Sequence, residues 1–322
     1  MSRLTFGSEG SFYRLQSNWT YFLPYFSAEY TQKYLYKKYQ NLQLADAEKK
    51  SYENCYKFIY YLEHGKIYYD QAKRAPIVIQ PILIFYGFTH LLKASILTVD
   101  PNYPDSTTVL AHGVTSRKRK KQQYQFLLDE VKIQKTGLFP LIAQKMFHMK
   151  HLEGEKFVME KLLQSIPELS YLFEHIHSPK NFLKVEQTNR NQLVLPEKLL
   201  DIFSMTKKRF LDYMNTTYSF LDLKENFLLD ISNNLLIKDS PIRFNNIDKQ
   251  YYFFLKRQDT ILPELLAHYL LLYNLSMISR YETEWWSELL KTTPTIDYPL
   301  ILSFCDTAIE KELLMIARFL CI

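Results

Sequence analysis

ILIFYGFTHLLKASIL, residues 82–97, is apolar on nearly every side of a helical projection, with His90 and Lys93 among its few polar interruptions. A helix on the surface of a globular protein shows one apolar stripe, whereas one that is apolar all round is enclosed by other elements. A membrane span would need roughly 20 predominantly apolar residues. The wider window 76–99 is broken by Gln80, Pro81, His90 and Lys93, and the second apolar stretch, 262–278, by Glu264, His268 and Asn274. Ionisable groups at such positions favour buried helices and no membrane contact.

Working outward, SAEYTQKYLYKKY (27–39) opens on a serine placed to cap a helix, and 51–71 repeats Tyr52, Tyr56, Ile59, Tyr60 and Leu62 at helical spacing. The C-terminal part reads the same way, with helices from Pro263 to Arg280 and from Ile301 to Leu320. Between these blocks, 181–257 changes character: NQLVLPEKLL, YSFLDLKENFLLDI and QYYFFLKR are strand-like and are separated by turn residues. The expected fold is mainly α, with helical N-terminal and C-terminal blocks and a small antiparallel β element in the middle, α+β overall. The expected division is a helical domain over 1–180 and a mixed region over 181–322. Within the first, EVKIQKTGLF reads as a short strand or hairpin and Leu138 to Ile166 as helix.

The chain uses 25 Tyr and 22 Phe but only 7 Gly in 322 residues, which disfavours glycine-dependent dinucleotide-binding sheets and loop-rich sandwiches. No GxxxxGK[ST], GxGxxG or GxSxG occurs, so the common nucleotide-binding and serine-hydrolase signatures are missing and no cofactor is indicated. Cys55, Cys305 and Cys321 show no CxxC spacing, and the first residues lack the basic-then-apolar pattern of an export signal. Both features lead to the expectation of a cytoplasmic protein.

The net charge of +6 matters only if it is concentrated, and it is concentrated in Arg117-Lys118-Arg119-Lys120-Lys121, followed by Gln122, Gln123 and Tyr124. Cations beside an aromatic ring suit phosphate or nucleic acid. A solvated basic face, or pairing with Asp129 and Glu130, is the plainer alternative. His112, between a proline-containing loop and a glycine, is the one candidate for acid–base work, against a plain hydrogen-bonding role across the loop. His148 and His151, at i and i+3 on an expected helix, and His175 and His177 would need further ligands such as Glu153, Glu155 or Glu174 to hold zinc, and with no HExxH in the sequence no metal site is expected. Arg280 and Tyr281, followed by Trp285 and Trp286, are read as a structural clamp, with Arg280 stacked on a tryptophan or paired with a carboxylate.

Five stretches together resemble the YaaC-like family of bacterial proteins: SYENCYKFIYYLEHGKIYY (51–69), IQPILIFYGFTHLLKASILT (79–98), VLAHGVTSRKRKKQQY (109–124), VKIQKTGLFPLIAQKMF (131–147) and HYLLLYNLSMISRYETEWW (268–286). The resemblance implies a bacterial cytoplasmic protein and brings no catalytic residues with it. The aromatic-rich helix Ile82 to Leu97, the loop after it and the His112-Gly113 pair more distantly resemble the nucleotide-binding helical HEPN domains, many of which are dimeric ribonucleases with the nuclease signature Rx(4–6)H. None of the eight histidines has an arginine in that window. If that fold is shared, binding is favoured over cleavage. The sequence therefore leads to a binding protein for RNA or another phosphate-rich ligand. A protein-interaction or homodimeric scaffold stands next, and a nuclease or nucleotide-processing enzyme using His112 comes last.

Overall fold

The computed structural model describes residues 18–116, 124–176, 179–189, 192–218, 223–230, 240–255, 262–293 and 295–321. Arg117, Lys118, Arg119, Lys120, Lys121 and His177 lie outside them. The described chain forms two compact units, one of residues 19–163 with 265–322 and one of 164–264.

The larger unit opens with a 3-10 segment, Asn18–Phe26, and then α1, Ala28–Asn41, where the Ser27 hydroxyl accepts from Tyr30 N as its position predicts. Helices α2 (Ala47–Ala72) and α3 (Gln80–Val99) follow and pack closely. Two glycines permit that approach: a Cβ on Gly87 would stand 2.8 Å from the Tyr69 ring, and one on Gly65 2.7 Å from Leu91 Cδ2. Helix α3 is long and apolar enough to cross a membrane by length and composition, but 67% of its most apolar window is buried within the protein. That is the enclosed core helix its all-round apolarity predicts.

Three short strands form an antiparallel sheet in the order β1-β2-β3: β1 (Val114–Ser116), β2 (Glu130–Ile133) and, after helix α4 (Leu138–Phe147), β3 (Lys156–Val158). The single helix expected over Leu138 to Ile166 is thus interrupted. His148 caps α4 in the left-handed region at φ 57°, and His151 (φ 63°) and Gly154 (φ 84°) keep the chain out of helix until α5, Met159–Leu163. His148 and His151 therefore sit exposed on a loop, not on one helical face.

The smaller unit begins with α6 (Ser170–His175) and builds a five-stranded antiparallel sheet around its own core. Strands β4 (Phe182–Asn189) and β5 (Gln192–Val194) precede α7 (Lys198–Phe203) and α8 (Lys207–Thr217). After them come β6 (Leu228–Asp230), β7 (Ile242–Asn245) and β8 (Gln250–Phe254), in the order β6-β5-β4-β8-β7. The middle β element expected from the sequence is this sheet, although NQLVLPEKLL divides into β5 and α7. Pro196 lacks the N–H that a longer ladder would need. Phe203, Phe210 and Met214 cover the inner face, where Val185, Leu193, Leu229 and Phe253 are buried.

Three helices complete the larger unit: α9 (Glu264–Tyr281), α10 (Thr283–Thr292) and α11 (Asp297–Cys321). Leu266 and Leu270 are wholly buried and Tyr273 nearly so, as their 3.6-residue spacing predicts. Helix α11 packs on α3.

Candidate functional site

His112 is fixed by its backbone. Its carbonyl accepts from the Tyr269 hydroxyl at 2.9 Å and from Phe139 N at 3.1 Å. The next residue, Gly113 (φ +77°), lies against Gly137 (φ +128°), where a Cβ would fall 2.3 Å from Gly113 Cα. Two backbones can touch this closely only without side chains, and both positive φ values favour glycine. The His-Gly pair in the sequence is thus one half of a glycine-on-glycine contact that sets the entry to β1.

The His112 ring packs against Phe85 (5.0 Å between centroids) and Tyr273 (5.6 Å), and at 6.4 Å from Tyr86. Arg280 reaches the same place from α9. Its Nη1 donates to the Tyr86 hydroxyl at 3.0 Å, its Nε to the Ser276 carbonyl at 3.0 Å, and its guanidinium lies over the Tyr86 and Tyr281 rings. The expected tryptophan or carboxylate partner is replaced by tyrosine. Burial, then Arg280 and Lys93, hold the His112 imidazole below its ordinary pKa. Two sequence candidates 168 positions apart, His112 and Arg280, therefore act on one another.

Around them stand residues that the sequence reading passed over. Tyr68 stacks on Tyr86 (6.0 Å, 29°) and on His90 (5.6 Å, 19°). His90 also meets His64 at 5.2 Å and Tyr61 at 6.0 Å, and Lys93 Nζ lies 5.9 Å from the Tyr61 ring centroid. Burial, then Lys93 and His64, push the His90 imidazole down to about 4. Burial also lowers Lys93. The signal was present: Tyr86, His90 and Lys93 fall at i, i+4 and i+7, one face of α3.

Tyr124 and Trp285 belong elsewhere in the same unit. Their rings meet edge to face at 4.5 Å, and Trp285 Nε1 donates to the Tyr124 carbonyl at 3.2 Å. The Tyr124 hydroxyl donates to Asp129, and burial followed by that carboxylate holds its pKa far above the usual phenol value. Asn274 Nδ2 donates to Asp129 at 3.0 Å, and Asp297 accepts from Phe126 N at 3.0 Å. This network anchors the chain where it returns from the basic run.

Where the chain departs, at Ser116, the outer face of the small sheet is cationic. Thr115 on β1 pairs with Lys132 on β2, and Lys132 pairs with Lys156 on β3, so the three form one cross-strand row. The alternate residues Val114, Val131 and Ile133 are buried. Lys156 is paired with Glu130 at 3.0 Å, and Gln134 Nε2 donates to Thr115 Oγ1 at 2.9 Å. Lys132 is exposed and has no ion-pair partner among the described residues. Thr115, Ser116, Glu130, Lys132 and Lys156 line an open pocket of about 320 Å³. No group of three or more His, Cys, Asp or Glu side chains is placed to hold a metal ion among the described residues.

Fold and faces together define a mainly helical α+β protein with two small antiparallel sheets and a lysine-bearing sheet face. The chain belongs to the YaaC-like protein family, whose sequence profile matches residues 23–320. No curated protein and no solved structure matches it.

Proposed function

We propose that the protein is a cytoplasmic binding protein for RNA or another phosphate-rich ligand, contacted by the outer face of the β1-β2-β3 sheet and by Arg117 to Lys121, which continue from β1. The observation that carries the reading is Lys132 directly opposite Lys156. Like charges facing each other across an antiparallel pair destabilise a sheet; Glu130 offsets Lys156 and leaves Lys132 as the cation to which a polyanion laid over the face adds attraction. Thr115 and Ser116 add hydroxyl donors, and Tyr124, at the far end of the basic run, has its ring oriented by Trp285.

The test is RNA binding by fluorescence anisotropy over a salt series. Each phosphate contact on a single strand contributes about 0.7 to the slope of log affinity against log salt. Lys132→Gln with Lys156→Gln should flatten the slope by about 1.4, and glutamine at all five positions 117–121 by roughly 2–3.5 if three to five of them contact phosphate. An unchanged slope in both variants overturns the reading.

A homodimeric or partner-holding scaffold is the second reading. It is favoured by Tyr52, Tyr56 and Tyr60, which repeat every four residues along α2 and are 70%, 55% and 55% exposed. Sedimentation of the parent beside a variant with all three changed to Ser tests it: a monomeric parent excludes self-association through this face.

A further inference from the structure

The histidine and tyrosine cluster around Lys93 and Arg280 is separate from the lysine row of the sheet, and its chemistry differs. Two cations and three imidazoles, from α2, α3, α9 and the loop before β1, are gathered with three tyrosine rings. Neither Lys93 nor Arg280 has an ion-pair partner among the described residues, and helix α3 contains no Asp or Glu. Half-burying cations without a counter-charge is unfavourable unless something compensates it. Here each cation lies over a tyrosine ring, which offsets part of the desolvation and adds no negative charge. His90 Nδ1 is enclosed and has no hydrogen-bond partner among the described residues. Buried polar atoms are almost always satisfied, so a lone one beside uncompensated cations marks where a missing acceptor would fit.

The tyrosines supply the other half. Tyr61, Tyr68 and Tyr86 are half-buried and His64 is exposed, so ring surface stays accessible beside the cations. The Tyr68 ring stacks on Tyr86 and on His90 at shallow angles, and Arg280 fixes the Tyr86 hydroxyl. Rings held in this way lose little freedom when a planar group stacks on them.

We propose that His90, Lys93, His112 and Arg280 form a site for a small phosphate-bearing anion, with Tyr68 and Tyr86 as a platform for a planar ring on the same ligand, which makes the ligand class a nucleotide. Phosphate oxygens accept from Lys93 Nζ and from the Arg280 donors left over by Ser276, Tyr86 and Met277, and a turn of the half-buried His90 ring brings its enclosed Nδ1 to them. The ring rests on tyrosine. Binding at this site does not depend on the RNA contact at the sheet.

Calorimetric titration with AMP, inorganic phosphate and adenosine tests the pieces separately, and the histidine ring signals in two-dimensional NMR locate the site. AMP should bind more tightly than inorganic phosphate by about tenfold, in line with the contribution of ring stacking. Adenosine should bind more weakly than AMP, and AMP should shift the ring signals of His90 and His112. Lys93→Gln and His90→Gln should each weaken AMP binding by about tenfold or more. Their melting temperatures should stay within about 2 °C of the parent, and the salt slope for RNA should be unchanged. Lys132→Gln with Lys156→Gln should flatten that slope and leave AMP binding intact. The site is overturned if AMP does not bind at millimolar concentration, if the sheet variant abolishes AMP binding, or if Lys93→Gln and His90→Gln bind AMP as the parent does. The nucleotide assignment is overturned if phosphate binds as tightly as AMP, or adenosine as tightly as AMP.

Discussion

Glu312 Oε1 lies 2.9 Å from His268 Nδ1, and both side chains are fully buried. Burial pushes the Glu312 carboxyl well above its ordinary range and the His268 imidazole well below its own, so it disfavours the charged form of each. One carboxyl oxygen shares a hydrogen bond with His268 Nδ1, and the other accepts from the Tyr69 hydroxyl. A buried chain of hydrogen bonds thus ties α2, α9 and α11 together.

Glu312→Gln should preserve this chain, because the amide donates and accepts in the same places. In the parent, the folded state keeps a proton on Glu312 that the unfolded chain loses above pH about 4.5. Stability contributed there falls as pH rises toward the folded-state pKa. The glutamine variant lacks this loss, so its melting temperature should gain on the parent between pH 5 and pH 8. Glu312→Ala instead strips the Tyr69 hydroxyl of its acceptor and opens a cavity, and should cost about 2–5 kcal/mol. Parallel pH profiles for parent and Glu312→Gln would show that the carboxyl is charged.

Leu270→Ala removes a wholly buried side chain from the middle of α9. The expected loss is about 2–5 kcal/mol in denaturant unfolding, set by how far the neighbours can close the gap.

Gly137→Ala should destabilise far more than Gly154→Ala, though both glycines have positive φ. At Gly154 no heavy atom of the described residues stands within 4 Å of the added Cβ, which leaves backbone strain, about 1–2 kcal/mol. At Gly137 the new Cβ also meets Gly113 Cα at 2.3 Å. The backbone under His112 must then move, and a loss above about 3 kcal/mol is expected. Equal melting temperatures for the two variants would contradict the glycine contact.

Arg280→Lys keeps the charge and gives up the planar fork that holds Tyr86 and the Ser276 carbonyl together. A loss of about 1–2 kcal/mol is expected from the hydrogen bonds, measured by thermal melting.

The helices were legible because their pattern is long. Ser27 caps α1, the periodic tyrosines mark α2, and the unbroken apolarity of 82–97 announces a central helix. The first sheet was mostly hidden because its strands are only three or four residues long, too few for a period of two to show against surrounding helix. Two of the features that break the helix at 148–154 are left-handed histidines, and nothing in the composition of HMKH betrays that geometry. At the candidate sites, His112 and Arg280 were each picked out for their own neighbours in sequence. Their meeting through Tyr86 joins three elements and is beyond local pattern. Lys132 and Lys156 look like ordinary alternating charges until strand register puts them face to face.

The larger unit closes only when residues far apart in the chain meet: the Tyr69 hydroxyl bonds to a carboxylate 243 positions later. On the ribosome, at about 5–20 residues per second, the gap between residue 69 and residue 312 takes roughly 12–50 s to translate. For much of that interval α3, the most apolar helix, is already made while α9 and α11 do not yet exist to cover it. The nascent chain is therefore at its most aggregation-prone midway through its synthesis, and its yield in cells should respond to chaperone supply more than the stability of the finished protein would suggest.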